Sequence, residues 1–212
     1  MTFVTFEGPE GAGKSTQIKL LADRLQTHGY EVLLTREPGG APEAEALRSL
    51  LLDPARRWSA EAEALLMYAA RDAHIRTAIE PALSRGEVVL CDRFHDSTEA
   101  YQLSIDSGLL AALKASIVKR LPDLTILFDL PVELGLERAA GRGRADRFEV
   151  KGIDYHRQVR ARFLEIAARE PRRVVVINAS LPMQDVTKSV LSAVRARLPG
   201  LLGEDDGASS PA

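Results

Sequence analysis

The residues with the clearest chemical potential form a glycine-rich run near the start of the sequence. Residues 8–15 read Gly-Pro-Glu-Gly-Ala-Gly-Lys-Ser and match the pattern G-x-x-x-x-G-K-[ST], in which backbone N–H groups hold phosphates. Lys14 would reach the β- and γ-phosphates of a nucleoside triphosphate, and the Ser15 hydroxyl would ligate Mg²⁺. The alternative is a glycine-rich turn with no ligand. A β-type run before the motif and a helical pattern after it favour the nucleotide site.

A second candidate site is the Asp92-Arg93 pair, which directly follows the apolar run at residues 88–91. In a parallel sheet the carboxyl ends of the strands face the ligand crevice. At that edge Asp92 would act on the Mg²⁺ shell or on the incoming phosphate acceptor, and Arg93 would contact phosphate. Taken alone, such a pair is more often a turn residue and a surface cation. The glycine-rich motif upstream favours the phosphate-binding role.

Further basic residues follow the second apolar run. Residues 35–40 read Thr-Arg-Glu-Pro-Gly-Gly, and Arg48 lies in the helical segment beyond them; an ordinary loop and a solvated arginine would look the same. In the next helical segment Met67, Arg71 and His74 recur at i, i+4 and i+7, so they share one helix face. Two interpretations of that face remain open, a partly buried binding wall and an ordinary amphipathic surface.

Arg142, Arg144 and Arg147 belong to a glycine-interrupted basic run between two helical patterns. A basic loop of this kind is often simply solvated, or it contacts nucleic acid. Beside a phosphate-binding loop it can instead be a lid, at about 141–152, whose guanidinium groups close over the transferring phosphates. The residues alone leave both interpretations open.

Short β-type runs alternate with longer helical patterns along the chain. This order predicts parallel βαβ units in an open sheet with helices on both faces. We therefore expect one α/β domain over residues 1–200, built on a five-stranded parallel sheet, and a disordered acidic tail at 201–212. The predicted strands are 2–6, 31–35, 87–91, 124–129 and 173–177, and the predicted helices are 14–28, 42–52, 59–84, 97–120 with a break near Ser107-Gly108, 132–141, 153–169 and 183–197.

Composition narrows the functional class. Lys and Arg total 28 against 30 Asp and Glu, which gives a formal charge of −2. The chain therefore lacks the overall positive charge that is typical of nucleic-acid-binding proteins. Cys91 is the one cysteine, so an intramolecular disulfide and a cysteine-ligated zinc site are excluded and a reducing compartment is expected. The apolar runs fall far short of the roughly 18 to 20 residues that span a bilayer. With no signal-peptide pattern at the start, we expect a cytoplasmic protein that binds neither membrane nor nucleic acid.

Together these motifs resemble those of the bacterial thymidylate kinases, members of the P-loop nucleoside monophosphate kinases, over about residues 2–197. The Arg-Glu-Pro-Gly-Gly run at 36–40 and the Ser-x-x-Ala-Tyr-Gln run at 97–102 are the most specific markers. The matching segments are 6–16, 35–40, 69–71, 92–94, 97–102, 123–125 and 146–149.

The resemblance implies a P-loop kinase fold and a homodimer that transfers the γ-phosphoryl group of ATP to dTMP, with Mg²⁺ as cofactor, to make dTDP for dTTP synthesis. The implied ATP-binding residues are Gly8, Pro9, Glu10, Gly11, Ala12, Gly13, Lys14, Ser15, Thr16, Arg138, Asn178 and Ala179. The implied acceptor-binding residues are Glu10, Arg36, Arg48, Met67, Arg71, Arg93, Ser97, Thr98, Tyr101 and Gln102. The implied catalytic residues are Lys14, Asp92, Arg93, Arg142 and Arg147, and the implied magnesium ligands are Ser15 and Asp92.

The chain has the donor loop of one branch of this family, and it departs from the common family pattern in the acceptor pocket. The loop at 8–15 contains no arginine, so the branch of the family with catalytic lid arginines fits, and Arg142 and Arg147 become the candidates. Met67 stands where the family commonly has a phenylalanine that stacks on thymine, and Ala73 stands where it commonly has glutamine. A polarizable methionine can still pack on a ring face.

Two other functions stay open at this stage. One is a kinase for another nucleoside monophosphate or for a deoxynucleoside, and the other is a non-catalytic nucleotide-binding module. A non-catalytic module needs no second phosphate pocket, so the separate acceptor-side arginines argue against it. Measuring ADP release over a panel of acceptors separates these functions.

Overall fold

The computed structural model describes residues 1–141 and 151–203. The predicted lid residues 142–150, with Arg142 and Arg147, lie outside the described residues, as do residues 204–212 of the predicted tail. The predictions for both segments therefore stay predictions.

A five-stranded parallel sheet in the order β2-β3-β1-β4-β5 forms the centre of the fold. Helices cover both of its faces, so the predicted open α/β architecture is confirmed. The strands are β1 (Thr2–Glu7), β2 (Val32–Arg36), β3 (Val88–Asp92), β4 (Leu124–Asp129) and β5 (Val174–Asn178).

The strand registers bring several chain segments to one edge of the sheet. In β1, Phe6 pairs with Asp92 of β3, so the loop after β1 and the turn after β3 leave the sheet side by side. Arg36, the last residue of β2, pairs with Asp92 from the other side. Open parallel sheets bind ligands at this edge.

Three of the strands begin one residue later than predicted. β2, β3 and β5 each start at a valine rather than at the charged residue before it. Branched side chains pack well on a pleated surface, whereas the Arg173 guanidinium, directly before β5, forms a buried ion pair with Asp96 at 2.7 Å. The ion pair of Arg173 therefore accounts for the start of β5 at Val174 rather than at Arg173.

The helix predicted over 59–84 is interrupted. A π-helical turn at Ile75–Ile79 separates two α-helices, and Pro81 lies just beyond it. Proline lacks an N–H group and its ring clashes with the carbonyl four residues earlier, and a wider turn relieves both constraints. The α-helices are α1 (Lys14–Thr27), α2 (Pro42–Leu52), α3 (Ala60–His74), α4 (Glu80–Ser84), α5 (His95–Tyr101), α6 (Ser107–Ile117), α7 (Val132–Ala140), α8 (Ile153–Arg169) and α9 (Met183–Arg197).

The segment predicted as a broken helix over 97–120 forms α5 and α6. α6 begins where the break is predicted, because the Asp106 side chain accepts the Leu109 N–H at 3.0 Å and caps the helix. α5 begins two residues earlier than predicted. Its early start depends on the side chain of Glu7 in β1, which accepts the Phe94 N–H at 2.7 Å.

Apolar side chains bury β1 and β3 from both sides. α1 and α9 pack against one face, around Phe6 and Leu90, and α3 and α4 pack against the other, around Phe3 and Val89. The edge that carries the loop after β1 and the turn after β3 therefore projects from strands that are covered on both faces. Within residues 1–141 and 151–203, no helix has both the length and the apolar composition needed to cross a membrane.

Candidate active site

The loop between β1 and α1 follows a backbone path that requires glycine at two points. Gly8 and Gly11 have φ angles of 135° and 72°, and a Cβ atom there would lie 2.4 Å from Phe128 O and 1.9 Å from Gly135 O. Gly13 precedes α1 without a side-chain cap. The N–H groups at the start of α1 are therefore available to an anion, as at other phosphate-binding helix N-termini.

Lys14 is folded inward over this loop. It is 7% exposed, and its Nζ donates to the carbonyl oxygens of Gly8 at 3.0 Å and Pro9 at 2.9 Å. Burial, reinforced by the Arg93 guanidinium and opposed by the Glu10 carboxylate, lowers the pKa of Lys14 to about 8. A nearby phosphate would favour the charged ammonium group again. This position therefore suits a polyanionic ligand.

Ser15 and Asp92, the predicted magnesium ligands, lie together. Ser15 Oγ donates to Asp92 Oδ2 over 2.9 Å. Mg²⁺ in nucleotide sites takes one or two protein oxygens, and phosphate and water oxygens complete its shell, so this pair fits the ion. In the part of the chain that the structure describes, no group of three or more His, Cys, Asp and Glu side chains could hold a metal. A magnesium ion at this pair would need the nucleotide as a further ligand.

Arg93 joins the loop to the neighbouring cavity. Its φ of 69° is the one left-handed angle of a non-glycine residue among the described residues, and such conformations cost about 1–3 kcal/mol and cluster at functional sites. Nη2 donates to Glu10 Oε1 at 2.5 Å, and Nη1 donates to Gly8 O at 3.0 Å and Ser97 Oγ at 3.2 Å. Burial lowers the pKa of Arg93, but the Glu10 carboxylate and other neighbours outweigh it and raise that pKa. Arg93 therefore remains a cation.

Glu7 lies behind Arg93 and was missed by the sequence analysis. It is 1% exposed, and its oxygens accept the Phe94 N–H at 2.7 Å and the Ser97 hydroxyl at 2.5 Å. Burial, with a further contribution from the Asp96 carboxylate, raises the pKa of Glu7 to about 8. A charged residue that ends an otherwise apolar strand, directly before the loop, is the signal that could have identified it.

A cavity of about 220 Å³ opens beside Arg93. Every residue predicted to bind the acceptor lies in its wall, which Leu52 and Phe94 supplement with apolar surface. Tyr101 OH donates to Glu10 Oε1 over 2.9 Å, which ties the cavity to the loop. The predicted residues in the wall are Glu10, Arg36, Arg48, Met67, Arg71, Arg93, Ser97, Thr98, Tyr101 and Gln102.

Arg71 is fixed in this wall with one donor left over. It is 2% exposed, its Nε donates to Glu37 Oε2 at 2.7 Å, and its Nη2 donates to Thr98 Oγ1 at 2.9 Å. Nη1 is buried and has no partner among the described residues. A buried donor without an acceptor costs free energy that a ligand could recover. The guanidinium is therefore arranged to recognise a polar atom of a bound molecule.

The helix face of Met67, Arg71 and His74 divides into two parts. Met67 and Arg71 line the cavity, whereas His74 is fully buried behind them. Its Nδ1 lies 3.0 Å from Glu37 Oε1, and its Nε2 lies 2.7 Å from Thr35 Oγ1. Glu37, another carboxylate missed from the sequence, thus links His74 to Arg71.

The two arginines that flank the Pro38 bend differ in their freedom. Arg48 Nη1 donates to the Pro38 carbonyl at 2.6 Å. The Arg36 side chain is 55% exposed and pairs with Glu45 at 3.0 Å. Arg48 is therefore the less exposed of the two.

Three of the predicted ATP-binding residues, Arg138, Asn178 and Ala179, lie outside the cavity wall. Arg138 on α7 donates from Nη1 to Ala179 O at 2.8 Å. Asn178 ends β5, and Ala179 N–H donates to Asp129 O at 2.8 Å. These contacts hold α7 against the end of β5.

Comparison with known proteins identifies the family. A family model described as Thymidylate kinase matches residues 6–190. The chain belongs to the thymidylate kinase family. The thymidylate kinase of Caulobacter vibrioides is 54% identical over 201 residues, which cover 92% of this chain and 97% of that protein. The thymidylate kinase of Pseudomonas putida is 51% identical over 207 residues, which cover 94% of this chain and 97% of that protein.

A solved member of the family has the same fold. The crystal structure of thymidylate kinase from Ehrlichia chaffeensis matches with a TM-score of 0.74 and 32% identity, over 92% of this chain and 98% of that chain. Family membership confirms the resemblance inferred from the motifs. The matched span, 6–190, contains the loop, the turn at Arg93 and the whole cavity wall.

Proposed function

We propose that this member of the thymidylate kinase family transfers the γ-phosphoryl group of ATP to dTMP and releases dTDP and ADP. The observation that carries the proposal is one cavity, lined by every predicted acceptor-side residue, that meets the glycine-rich loop at Arg93. Two phosphate-binding regions then lie side by side, which phosphoryl transfer requires. A nucleotide-binding module without catalysis has no use for the second region.

On the donor side, the N–H groups of the loop and the start of α1 bind the ATP phosphates. Lys14 exchanges its bonds to the Gly8 and Pro9 carbonyls for phosphate oxygens. Asn178 and Ala179 lie against the adenine, and Arg138 is a further ATP-binding residue. The loop residues assigned to ATP are Gly8, Pro9, Glu10, Gly11, Ala12, Gly13, Lys14, Ser15 and Thr16.

Ser15 and Asp92 are the residues that would hold Mg²⁺. When bound, the ion supplies positive charge beside the phosphate oxygens. Their 2.9 Å hydrogen bond supports this assignment, because it already places both oxygens at the start of α1.

On the acceptor side, Arg48 and Arg93 bind the dTMP phosphate, and Arg71 donates its unpaired Nη1–H to the pyrimidine ring. Met67 packs against the ring. Glu10 lies near the acceptor sugar, where Tyr101 and Arg93 already hold its carboxylate. The remaining acceptor-side residues are Arg36, Ser97, Thr98 and Gln102.

Catalysis then rests on positive charge that is in place before the reaction. The dTMP phosphate oxygen attacks the γ-phosphorus, ADP leaves, and negative charge develops on the transferring oxygens. Lys14, Arg93, and the lid residues Arg142 and Arg147 would neutralise that charge. Little covalent chemistry is left for the protein.

Release of ADP, measured with dTMP, dUMP, dGMP and thymidine as acceptors, tests the proposed function. We expect the highest kcat/KM with dTMP. Faster turnover of another monophosphate or of thymidine would establish the alternative kinase. Binding of ATP with no turnover on any acceptor would establish the non-catalytic module.

Arg142→Ala and Arg147→Ala are each expected to lower kcat by about 10² while the Kd for dTMP stays nearly unchanged, because a lid arginine meets the phosphoryl group chiefly during transfer. Arg142→Lys and Arg147→Lys should restore little of the lost kcat, since an ammonium group cannot reproduce the planar set of donors of a guanidinium group. Arg162→Ala, at an exposed position on α8, is the matched control. Unchanged kcat in both variants would indicate a solvated basic loop.

Met67→Phe is expected to tighten dTMP binding by about 1 kcal/mol, roughly fivefold in Kd, because the phenylalanine ring can stack on the thymine ring. Titration of dTMP, followed by calorimetry, measures the change. Leu20→Phe adds the same ring at an exposed position on α1 and should have no effect. Weaker binding by Met67→Phe would mean that the cavity is too narrow for a stacked ring.

We also propose that the protein works in the cytoplasm as a homodimer joined through α3 and α6. The exposed side of α6 carries the small apolar residues Ala111, Ala112 and Ala115, and Leu65 on the adjoining α3 is 51% exposed. Ala115→Arg, on the exposed side of α6, is expected to halve the mass seen in sedimentation velocity. Ala161→Arg on α8 is the control. A parent protein that sediments as a monomer would contradict the homodimer.

A further inference from the structure

Glu7 is a buried carboxylate to which the proposed mechanism gives no part. It is 1% exposed, it ends the central strand directly before Gly8, and it lies outside the cavity wall. Burial of a carboxylate is unfavourable unless its oxygens are hydrogen-bonded. The partners of Glu7 therefore indicate what it does.

The hydrogen-bond partners of Glu7 lie in the segment that follows Arg93. Oε1 accepts the N–H groups of Phe94 at 2.7 Å and Ser97 at 3.3 Å, and Oε2 accepts the Ser97 hydroxyl at 2.5 Å. Phe94 is the N-cap of α5 and supplies no side-chain cap. Glu7, from another element, therefore accepts the N–H of the N-cap residue and one N–H of the first turn of α5.

Ser97 connects Glu7 to Arg93. Arg93 Nη1 donates to Ser97 Oγ at 3.2 Å, and that hydroxyl donates onward to Glu7. The backbone N–H of Arg93 donates to Phe6 O at 2.9 Å. A left-handed, non-glycine residue persists only where its surroundings overdetermine its conformation. Here β1 supplies contacts on both sides of that residue.

We infer that Glu7 is a positioning residue, which acts through Ser97 and the turn at residues 93–97 to hold the Arg93 guanidinium between the two phosphate-binding regions. The inference rests on the proposed function, in which Arg93 binds the acceptor phosphate. Among the described residues, the hydrogen bonds of Glu7 go to Phe94 and Ser97 and none goes to Lys14 or to the loop at 8–15, so ATP binding should depend less on Glu7 than acceptor binding does. Loss of Glu7 should therefore affect the acceptor and the transfer step more than ATP binding.

Glu7→Gln tests this separation, because an amide keeps the shape of the side chain but only one of its two atoms can accept hydrogen bonds. We expect kcat/KM for dTMP to fall about tenfold or more, with a lower kcat and a higher KM for dTMP. The Kd for a non-hydrolysable ATP analogue should change by less than about threefold. Should Glu7→Gln fail to fold, Glu7→Asp, which is too short to reach both Phe94 and Ser97, replaces it with the same expectation.

Asp123→Asn is the matched control. Asp123 accepts the Phe3 N–H at 2.8 Å near the opposite end of β1 and lies outside the cavity wall. This variant should change the unfolding temperature, but it should not lower kcat/KM for dTMP relative to the affinity for the ATP analogue. Equal losses of ATP-analogue binding, turnover and thermal stability in Glu7→Gln would make Glu7 a folding residue and overturn the inference.

Arg93→Ala supplies a second test. If Glu7 acts through Arg93, adding Glu7→Gln to Arg93→Ala should cause no further loss of kcat/KM, because the two effects are coupled. A full additional loss, or parent-like kcat/KM in Glu7→Gln alone, overturns the inference. The parent protein in the same assay tests the proposed function separately. A parent that is inactive on dTMP but active on another acceptor refutes that function, and the Glu7 comparison is then made with the active acceptor.

Discussion

Lys14→Ala is expected to lower kcat by about 10² to 10³-fold, the usual effect of removing one preorganised group that stabilises transition-state charge. The native fold should lose little. Among the described residues, the hydrogen bonds of Lys14 go only to the Gly8 and Pro9 carbonyls, and burial lowers its pKa to about 8, so the folded protein gains little from the charge. Steady-state ADP release and a thermal unfolding curve measure the two quantities.

Lys19→Ala is the control for this experiment, because Lys19 is exposed on the same helix. It should leave both kcat and the unfolding temperature unchanged. Turnover of Lys14→Ala at the parent's rate would refute the catalytic role. If the free energy of unfolding fell by as much as the free-energy equivalent of the lost rate, Lys14 would be a structural residue.

Arg71→Ala is expected to remove most of the discrimination among dTMP, dUMP and dGMP and to lower kcat/KM for dTMP by about 10²-fold or more. A site built to hydrogen-bond a ring loses far more when that partner is removed than when an apolar contact is removed. Arg71 fits such a site, because Nη1 is its one buried donor without a partner among the described residues. The comparison of kcat/KM over the three acceptors measures the effect.

Arg71→Ala should also lower the stability of the fold, and this loss must be separated from the loss of acceptor discrimination. Arg71 and Glu37 are both almost fully buried and lie 2.7 Å apart, and breaking a buried pair commonly costs about 3–5 kcal/mol. Glu37→Gln in the Arg71→Ala background removes the buried carboxylate that has lost its arginine partner and, among the described residues, keeps only His74. The double variant should then recover part of the free energy of unfolding, whereas it should still fail to discriminate among the three acceptors. An Arg71→Ala variant that keeps the parent's acceptor ranking would show that this helix face does not contact the base.

Local patterns in the sequence were enough to predict the order of the elements and the phosphate-binding loop. The loop at 8–15 depends on glycines and on a strand and a helix that are its immediate neighbours, so nothing distant is needed to recognise it. The acceptor-side residues came from the resemblance to the family, and the structure gathers them in one cavity wall. Their roles stay predictions that the variants above test.

Helix boundaries were less predictable where a distant side chain sets them. α5 starts early because Glu7, 87 residues before Phe94, accepts its N–H. The π-helical turn at Ile75–Ile79 has a local cause in Pro81, but a helical periodicity continues through it and hides it.

The sequence by itself was enough to predict the fold class and the donor loop, because each depends on residue types at short, regular spacings, and its motifs carried the resemblance to the family. Only the tertiary structure decided which carboxylates hold the arginines. Glu37 pairs with Arg71 across 34 positions, and Glu7 accepts from Ser97 across 90 positions. Ser97 in turn accepts from Arg93. Partner choice at such separations depends on which strand ends meet at one edge of the sheet. No local periodicity records that, since the register of β1 against β3 arises only when the whole sheet packs.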